Sequence, residues 1–363
     1  MASIPGGQYN VFAQGGQQVN VVTTPDGSNL PPPIPGEFNL EVITGGVIPP
    51  GLPPGYQGVA VLSDNGQTIN MAYGDWALNL TGDPTVYGGA GSDTITAGAG
   101  PALIFGGKGP DLIYGGKGPD TIYGGSGPDT IYGGAGDDLI FGGKGEDVIF
   151  GGDGRDTIQG GKGRDTIYGG NGRDVITGGK GPDLIVGGNG KDTITGGKGD
   201  DTIFAGHGGD LITGGSGPDL IFGGDGKDTI NGGSGPDTIY GGFGPALVHG
   251  GAGADLIVGG GANDTIFGGS GPDTIDGGSG HNQIYAGTGG TLIQDSGVKG
   301  QDTVVGFDKA HGDAITFAGE NKSTVDHVVA TATVADGSTT ITLPDGSTMT
   351  LVGITHIDHT FFH

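Results

Sequence analysis

Cysteine is absent from all 363 residues, which excludes a disulfide framework and any thiolate metal site. Charged residues make up only 15%, aromatic residues 7%, and there is a single tryptophan. These scarcities leave little material for a conventional core. No stretch approaches the roughly 18 consecutive apolar residues of a membrane span. The opening MASIPGGQYNVFAQGG has neither the basic nor the apolar segment of a cleaved secretory leader, so if the protein leaves the cell it is expected to do so without one. Basic residues are also scarce, 14 against 40 acids, for a formal charge of −26. That balance excludes nucleic acid and anionic membrane as natural partners, since both would be repelled. It favours a cation.

What the chain has is glycine, 90 residues of it. A helix-interior glycine costs about 0.8–1.0 kcal/mol relative to alanine, so a mainly helical fold is excluded. The glycines do not recur every third residue, which sets the chain apart from collagen. They follow a period of nine. From Gly88 to Gln294 the sequence divides without insertion into 23 blocks, among them GGKGPDLIY, GGSGPDTIY and GGAGDDLIF. Positions one, two and four are glycine, position six is aspartate, and position eight is isoleucine in 22 blocks and Val248 in the other.

Glycines at three of six positions suit a tight turn, and x-Ile-x is a minimal strand with its middle residue facing opposite to its flanks. The spacing therefore predicts a six-residue turn followed by a three-residue strand. Two blocks form one coil of 18 residues with isoleucine stacked inside. The fold class read from this pattern is all-β, a right-handed parallel β-roll with small β-rich caps at both ends. Three regions follow: residues 1–87, Pro/Gly-rich with short strands and a capping or assembly role; 88–294, the repeat array; and 295–363, a β-rich cap.

Within the first region, Val59 to Met71 reads as a hairpin about Asp64-Asn65-Gly66, and Trp76 and Leu78 offer apolar cover for the first coil. In the last region a short helix is expected to open at Ser323, with Asp326 three residues on. A hairpin follows in ATVADGSTTITLPDGSTMTLVGI, bounded by two DGS turns.

The block GGxGxDxUx, with U aliphatic, resembles the RTX or haemolysin-type calcium-binding repeat over 207 of the 363 residues. The resemblance implies Ca2+ between the turns of blocks n and n+2, held by aspartate carboxylates and glycine-turn carbonyls. The residue chemistry points the same way. Calcium takes six to eight oxygens, and carbonyl-rich turns with one recurrent carboxylate offer oxygen and nothing else. The candidate ligands are Asp93, Asp111, Asp120, Asp129, Asp138, Asp147, Asp156, Asp165, Asp174, Asp183, Asp192, Asp201, Asp210, Asp219, Asp228, Asp237, Asp255, Asp264 and Asp273. Position six is lost at Ala102, Ala246, Asn282 and Thr291, where sites are expected to be weak or empty. About sixteen of the 21 n/n+2 pairs keep both carboxylates. One isoleucine per nine glycine-rich residues is too small a core to order such a backbone alone. An array that folds on binding calcium is expected.

Position nine faces outward. In odd blocks it reads Tyr114, Tyr132, Phe150, Tyr168, Val186, Phe204, Phe222 and Tyr240, an almost unbroken apolar row. In even blocks its middle is polar, from Gln159 to His249. The aromatic residues Tyr114, Tyr132, Phe150, Tyr168, Phe204, Phe222 and Tyr240 are interface candidates. They are also good strand residues, and the Pro-rich segment is a second way to cover them.

The stretch DTVVGFDKAHGDAITFAGENKSTVDHVVATATV resembles the tail that follows RTX arrays, which implies an uncleaved type I secretion signal and the type I secretion machinery as partner. No catalytic constellation stands out. His356 and His359 lack a third ligand, and Gly161-Lys162 lacks the Ser/Thr of a phosphate loop. The sequence reads as a non-enzymatic calcium-binding structural protein, extracellular or at the surface of a Gram-negative cell, that self-assembles into a filament, layer or matrix. The alternative is an adhesin that binds cell-surface polysaccharide through its aromatic row.

Overall fold

The computed structural model describes residues 85–363 in full. Before them it describes the strands Gln8–Phe12, Gln18–Thr24, Phe38–Ile43, Gly58–Ser63, Gly66–Asn70 and Ala77–Asn79. Trp76 and the two proline tracts lie outside the described residues. The chain divides into two units, Met1–Asn171 and Gly172–His363.

In the first unit the repeat folds into two parallel sheets. One runs Thr85–Ala90, Leu103–Lys108, Thr121–Ser126, Leu139–Lys144 and Thr157–Lys162. The other runs Ala77–Asn79, Thr94–Thr96, Leu112–Lys117, Thr130–Ala135 and Val148–Gly154. Each strand of the repeats pairs with the one 18 residues on, Ile113 beside Ile131 and Ile122 beside Ile140, while Ala77–Asn79 pairs at a spacing of 17. Consecutive strands alternate between sheets. The hairpin expected near residue 64 is present, with Gly58–Ser63 antiparallel to Gly66–Asn70 and Ser63 opposite Gly66.

The strands are longer than the three residues expected. Most span five to seven, because pairing continues through the first glycines of the next block, as in Gly116 beside Gly134 and Lys117 beside Ala135. The second glycine of every block but that of Gly98 bends the chain by taking positive φ, +117° at Gly125, so the backbone turns without giving up its ladder. The turn proper shrinks to about three residues. Every position-eight side chain from Ile95 to Ile293 is at most 1% exposed, so the core is one stacked column of β-branched residues per sheet.

The second unit repeats this arrangement from Val175–Lys180 and Leu184–Gly190 to Gly280–Tyr285 and Leu292–Asp295. Two more strands extend its sheets. Gly300–Val305 pairs with Gly280–Tyr285, and Ala314–Phe317 with Leu292–Asp295. The helix Lys322–Thr331 and an antiparallel meander, Thr333–Ala335, Ser338–Thr342 and Thr348–Leu351, follow. The last strand returns parallel to Gly300–Val305. Phe307, Phe317, Val328, Ile341, Leu343, Met349 and Leu351 are buried there, a mixed apolar core unlike that of the repeats.

The helix is capped by Asn321, not by Ser323. The Asn321 side chain accepts from the amides of Ser323 and Thr324, and Thr324 Oγ1 accepts from the Asn321 amide at 2.8 Å, a reciprocal capping box. Asp326 instead lies 3.2 Å from His359 Nε2.

Candidate metal centre

All nineteen position-six aspartates point into the turns and are 0–3% exposed. From Asp111 onward one carboxylate oxygen of most rungs accepts from the backbone of the coil before it. In the first unit Asp129 Oδ1 accepts from the Asp111 amide at 2.9 Å and Asp147 Oδ1 from Asp129 at 2.8 Å. The neighbouring column runs through Asp120, Asp138 and Asp156 in the same way. In the second unit the pattern repeats from Asp174 to Asp228 and from Asp183 to Asp273.

In most rungs the other oxygen has no donor. Oδ2 is fully enclosed and without a hydrogen-bond partner in fourteen rungs, among them Asp111, Asp129, Asp147, Asp201, Asp219 and Asp264. Burying a charged oxygen without a partner is costly. Desolvation pushes Asp129 up to about 7, and the charges of Asp147 and Asp111, one coil to either side, push the same way. Burial raises Asp219 to about 7 as well, with Asp201 and Asp237 adding to it. Asp111, Asp120, Asp228 and Asp273 rise to about 6, chiefly by burial. These fourteen rungs are thus stacked carboxylates whose second oxygen meets neither a donor nor a counter-charge among the described residues.

The first glycine of each block completes the cradle. A Cβ on Gly124 would lie 2.6 Å from Asp129 Oδ2 and 2.7 Å from the Gly142 carbonyl oxygen of the next coil. A carboxylate oxygen, a backbone carbonyl and a bare Cα therefore converge on one small space, and the pattern recurs at Gly106, Gly142 and Gly196. Three blocks carry alanine at this position: Ala97, Ala205 and Ala286. Two of them, Ala97 and Ala286, stand in blocks where the aspartate is also gone, as Ala102 and Thr291. The third, Ala205, shares its block with the buried Asp210, so the methyl does not by itself exclude the carboxylate. Among the described residues no three acidic or imidazole side chains converge. Oxygen for an ion would come from single carboxylates and the carbonyls around them, a hard, flexible donor set that fits calcium and not a thiophilic metal.

The family model of the RTX calcium-binding nonapeptide repeat matches residues 81 to 293 in overlapping segments. The chain belongs to that family. Its repeat region is a calcium-binding parallel β-roll, a structural fold. No curated protein matches the chain significantly. Two solved structures are similar at 18% identity. One is the extracellular lipase LipA from Serratia marcescens, with 60% of this chain and 45% of the lipase covered and a TM-score of 0.23. The other is a hyperactive, Ca2+-dependent, β-helical antifreeze protein from an Antarctic bacterium, with 69% and 91% covered and a TM-score of 0.28. The chain spans less than half of the lipase's length.

Within the RTX columns, the four replaced positions keep the backbone half of the ladder and lose the carboxylate. Ala102 and Ala246 still donate their amides to Asp120 and Asp264. Asn282 accepts from the Asp264 amide and turns its Nδ2 to Asp302 Oδ1 at 2.8 Å. The Thr291 amide donates to Asp313 Oδ1 at 2.7 Å. Asp302 and Asp313 are thus further rungs that the nine-residue register overlooks, because they follow at spacings of 20 and 22 instead of 18. The surviving signal is D-x-U, as Asp302-Thr303-Val304 and Asp313-Ala314-Ile315. Burial raises Asp302 to about 7, against the lowering effect of Asn282, and the Asp295 and Asp276 charges add to the rise.

The interface candidates form two stacks on the outer face. Tyr114, Tyr132, Phe150 and Tyr168 follow one another in the first unit with ring centroids 4.7–4.9 Å apart and planes within 7°. Phe204, Phe222 and Tyr240 do the same in the second. The opposite sheet has its own stacks, Tyr87-Phe105-Tyr123-Phe141 and His249-Phe267-Tyr285. The first rungs, Tyr114 at 37% and Phe204 at 40%, are the exposed ones. Later rungs are half-buried because each ring covers its neighbour's face.

Proposed function

We propose that this protein is an extracellular structural component whose RTX roll orders when calcium fills its aspartate columns. The observation that carries this reading is the set of fourteen enclosed Oδ2 atoms without donors, stacked coil upon coil. The position-six aspartates would hold the ions together with glycine-turn carbonyls, and the ions would supply the counter-charge that the columns lack. Asp93 through Asp273 are all assigned to this role, with about sixteen rung pairs complete. The array would stay unfolded at low cytosolic calcium, pass through a type I secretion channel directed by the segment after residue 294, and fold outside a Gram-negative cell.

Assembly into a filament, layer or matrix is the proposed use of the repeats. Ring stacks repeating along a sheet offer the same contact many times over. Sugar stacking through these rings is the weaker reading, because stacking needs an open ring face and the neighbours occupy those faces. A calcium titration followed by far-UV circular dichroism tests the folding step, with electron microscopy of the same samples for assembly. β-Structure and ordered polymers should appear together as calcium rises. A full β signal in excess chelator would sink the folding step, and a soluble monomer at millimolar calcium would sink the assembly step.

A further inference from the structure

The basic residues, few as they are, are not spread evenly. Eight of the fourteen fall between residues 144 and 198. All eight are exposed, while the exposed acids of that stretch number two, Glu146 and Asp153. The other acids there are the buried aspartates of the columns.

The lysines are also aligned. Position three of the odd blocks places Lys144 directly beside Lys162 in the first unit and Lys180 directly beside Lys198 in the second. Like charges opposite each other on paired strands are destabilising. The fold does not require them: the same row holds Ser126 next to Lys144 and Ser216 next to Lys198. None of the four lysines has an ion-pair partner among the described residues.

We infer that each of these lysine pairs, within its own unit, forms a calcium-gated binding edge for an anionic polysaccharide. The inference rests on the reading that calcium occupies the aspartate columns. Without calcium the six buried carboxylates between 144 and 198 offset the lysines and the chain repels polyanions. With the columns neutralised, the exposed charge of the stretch is strongly positive.

Each pair places two positive charges about 4.8 Å apart, the strand spacing. That pitch suits a linear polymer with about one anionic group per sugar. Duplex DNA, with a charge every 1.7 Å or so, fits poorly, and the covered ring faces give single strands nothing to stack on. Among the described repeats no exposed column carries two consecutive acids, so the array of a second copy offers no matching acidic row.

The test is binding of the full chain to dextran sulfate in millimolar calcium and in chelator, with neutral dextran and single-stranded DNA as further arms. Dextran sulfate should bind in calcium only, and tighter than DNA. The variant K144S/K162S/K180S/K198S should bind at least tenfold more weakly, with a shallower salt dependence. K117S/K227S/K309S/K322S, which removes equal charge elsewhere, should stay within threefold of the parent. Unchanged affinity in the first variant, equal loss in the second, equal binding in chelator or preference for DNA would each overturn the proposal. Circular dichroism of every sample reads the calcium-induced folding separately, so its failure is distinguishable from failure of the lysine edge.

Discussion

Two stretches of the second unit bury aspartate in opposite ways. In the repeats, Asp219 and Asp237 each satisfy one oxygen with a backbone amide and leave the other enclosed without a donor. Beyond Gln294, Asp313 satisfies both, Oδ1 from the Thr291 amide and Oδ2 from the Asp308 amide at 2.6 Å. The apolar cores differ in the same sense. The repeats bury one isoleucine per block, whereas the terminal strands and helix bury Phe307, Phe317, Val328, Leu343 and Met349 together. Residues 300–357 bury a mixed apolar cluster and a fully hydrogen-bonded carboxylate, whereas the repeats enclose carboxylate oxygens that meet no donor.

The largest expected effect separates the two directly. In excess chelator, hydrogen exchange of residues 175–290 should become fast while residues 300–357 retain protection, because only the former depend on an ion for their buried oxygens. Uniform protection in both stretches would abolish the contrast. A smaller break comes from single substitutions. Asp219→Asn, which removes a column carboxylate, should raise the calcium concentration for half-folding several-fold. Asp313→Asn should leave that midpoint in place and lower thermal stability by about 1 kcal/mol, since its amide cannot accept both backbone hydrogen bonds. Calcium titration and thermal melts of both variants check the pair.

The contrast explains what could be read from residues alone. The period of nine made the strand order, the isoleucine columns and the aspartate columns legible, because each repeats in one register without insertion. Strand length was not legible: Gly-Gly reads as turn, yet Gly116 and Lys117 still pair with Gly134 and Ala135. Asp302 and Asp313 were hidden by turns lengthened by two and four residues, which break the period while the D-x-U step survives. The helix start was misplaced because Ser323 and Asn321 are both good caps by type, and only the hydroxyl of Thr324 decides between them.

Acidity should act in opposite directions with and without calcium. Burial raises the column carboxylates to about 6–7 in the folded roll, above the ordinary carboxylate value of about 4. The folded calcium-free roll therefore binds more protons than the unfolded chain. Its stability is fully present below about pH 4 and is lost as pH rises through 6 to 7. In chelator, lowering the pH from 8 to 5 should increase the β signal. In calcium, the same change should raise the calcium midpoint, because protons compete for the carboxylates. A calcium midpoint independent of pH over this range would contradict the assignment of these oxygens as ligands.

The smallest effect concerns one residue that breaks the turn rule inside the array. The fourth position of the block Gly259–Phe267 is Ala262, held at φ +73° where the other blocks use glycine. A left-handed conformation costs an L-residue about 1–2 kcal/mol relative to its preferred regions. Ala262→Gly relieves that strain but also loosens the unfolded chain, which offsets part of the gain by about 0.4–1 kcal/mol. The net expectation is a stabilisation of about 0.5–1 kcal/mol, measured with calcium saturating so that the folded array is the reference state. Because the strain is local to the repeats, the gain should appear in the unfolding of residues 175–290 and leave hydrogen exchange of residues 300–357 unchanged. A gain shared by both stretches would mean that the repeats and the terminal strands unfold as one cooperative body, and the contrast drawn between them would hold for their chemistry but not for their folding.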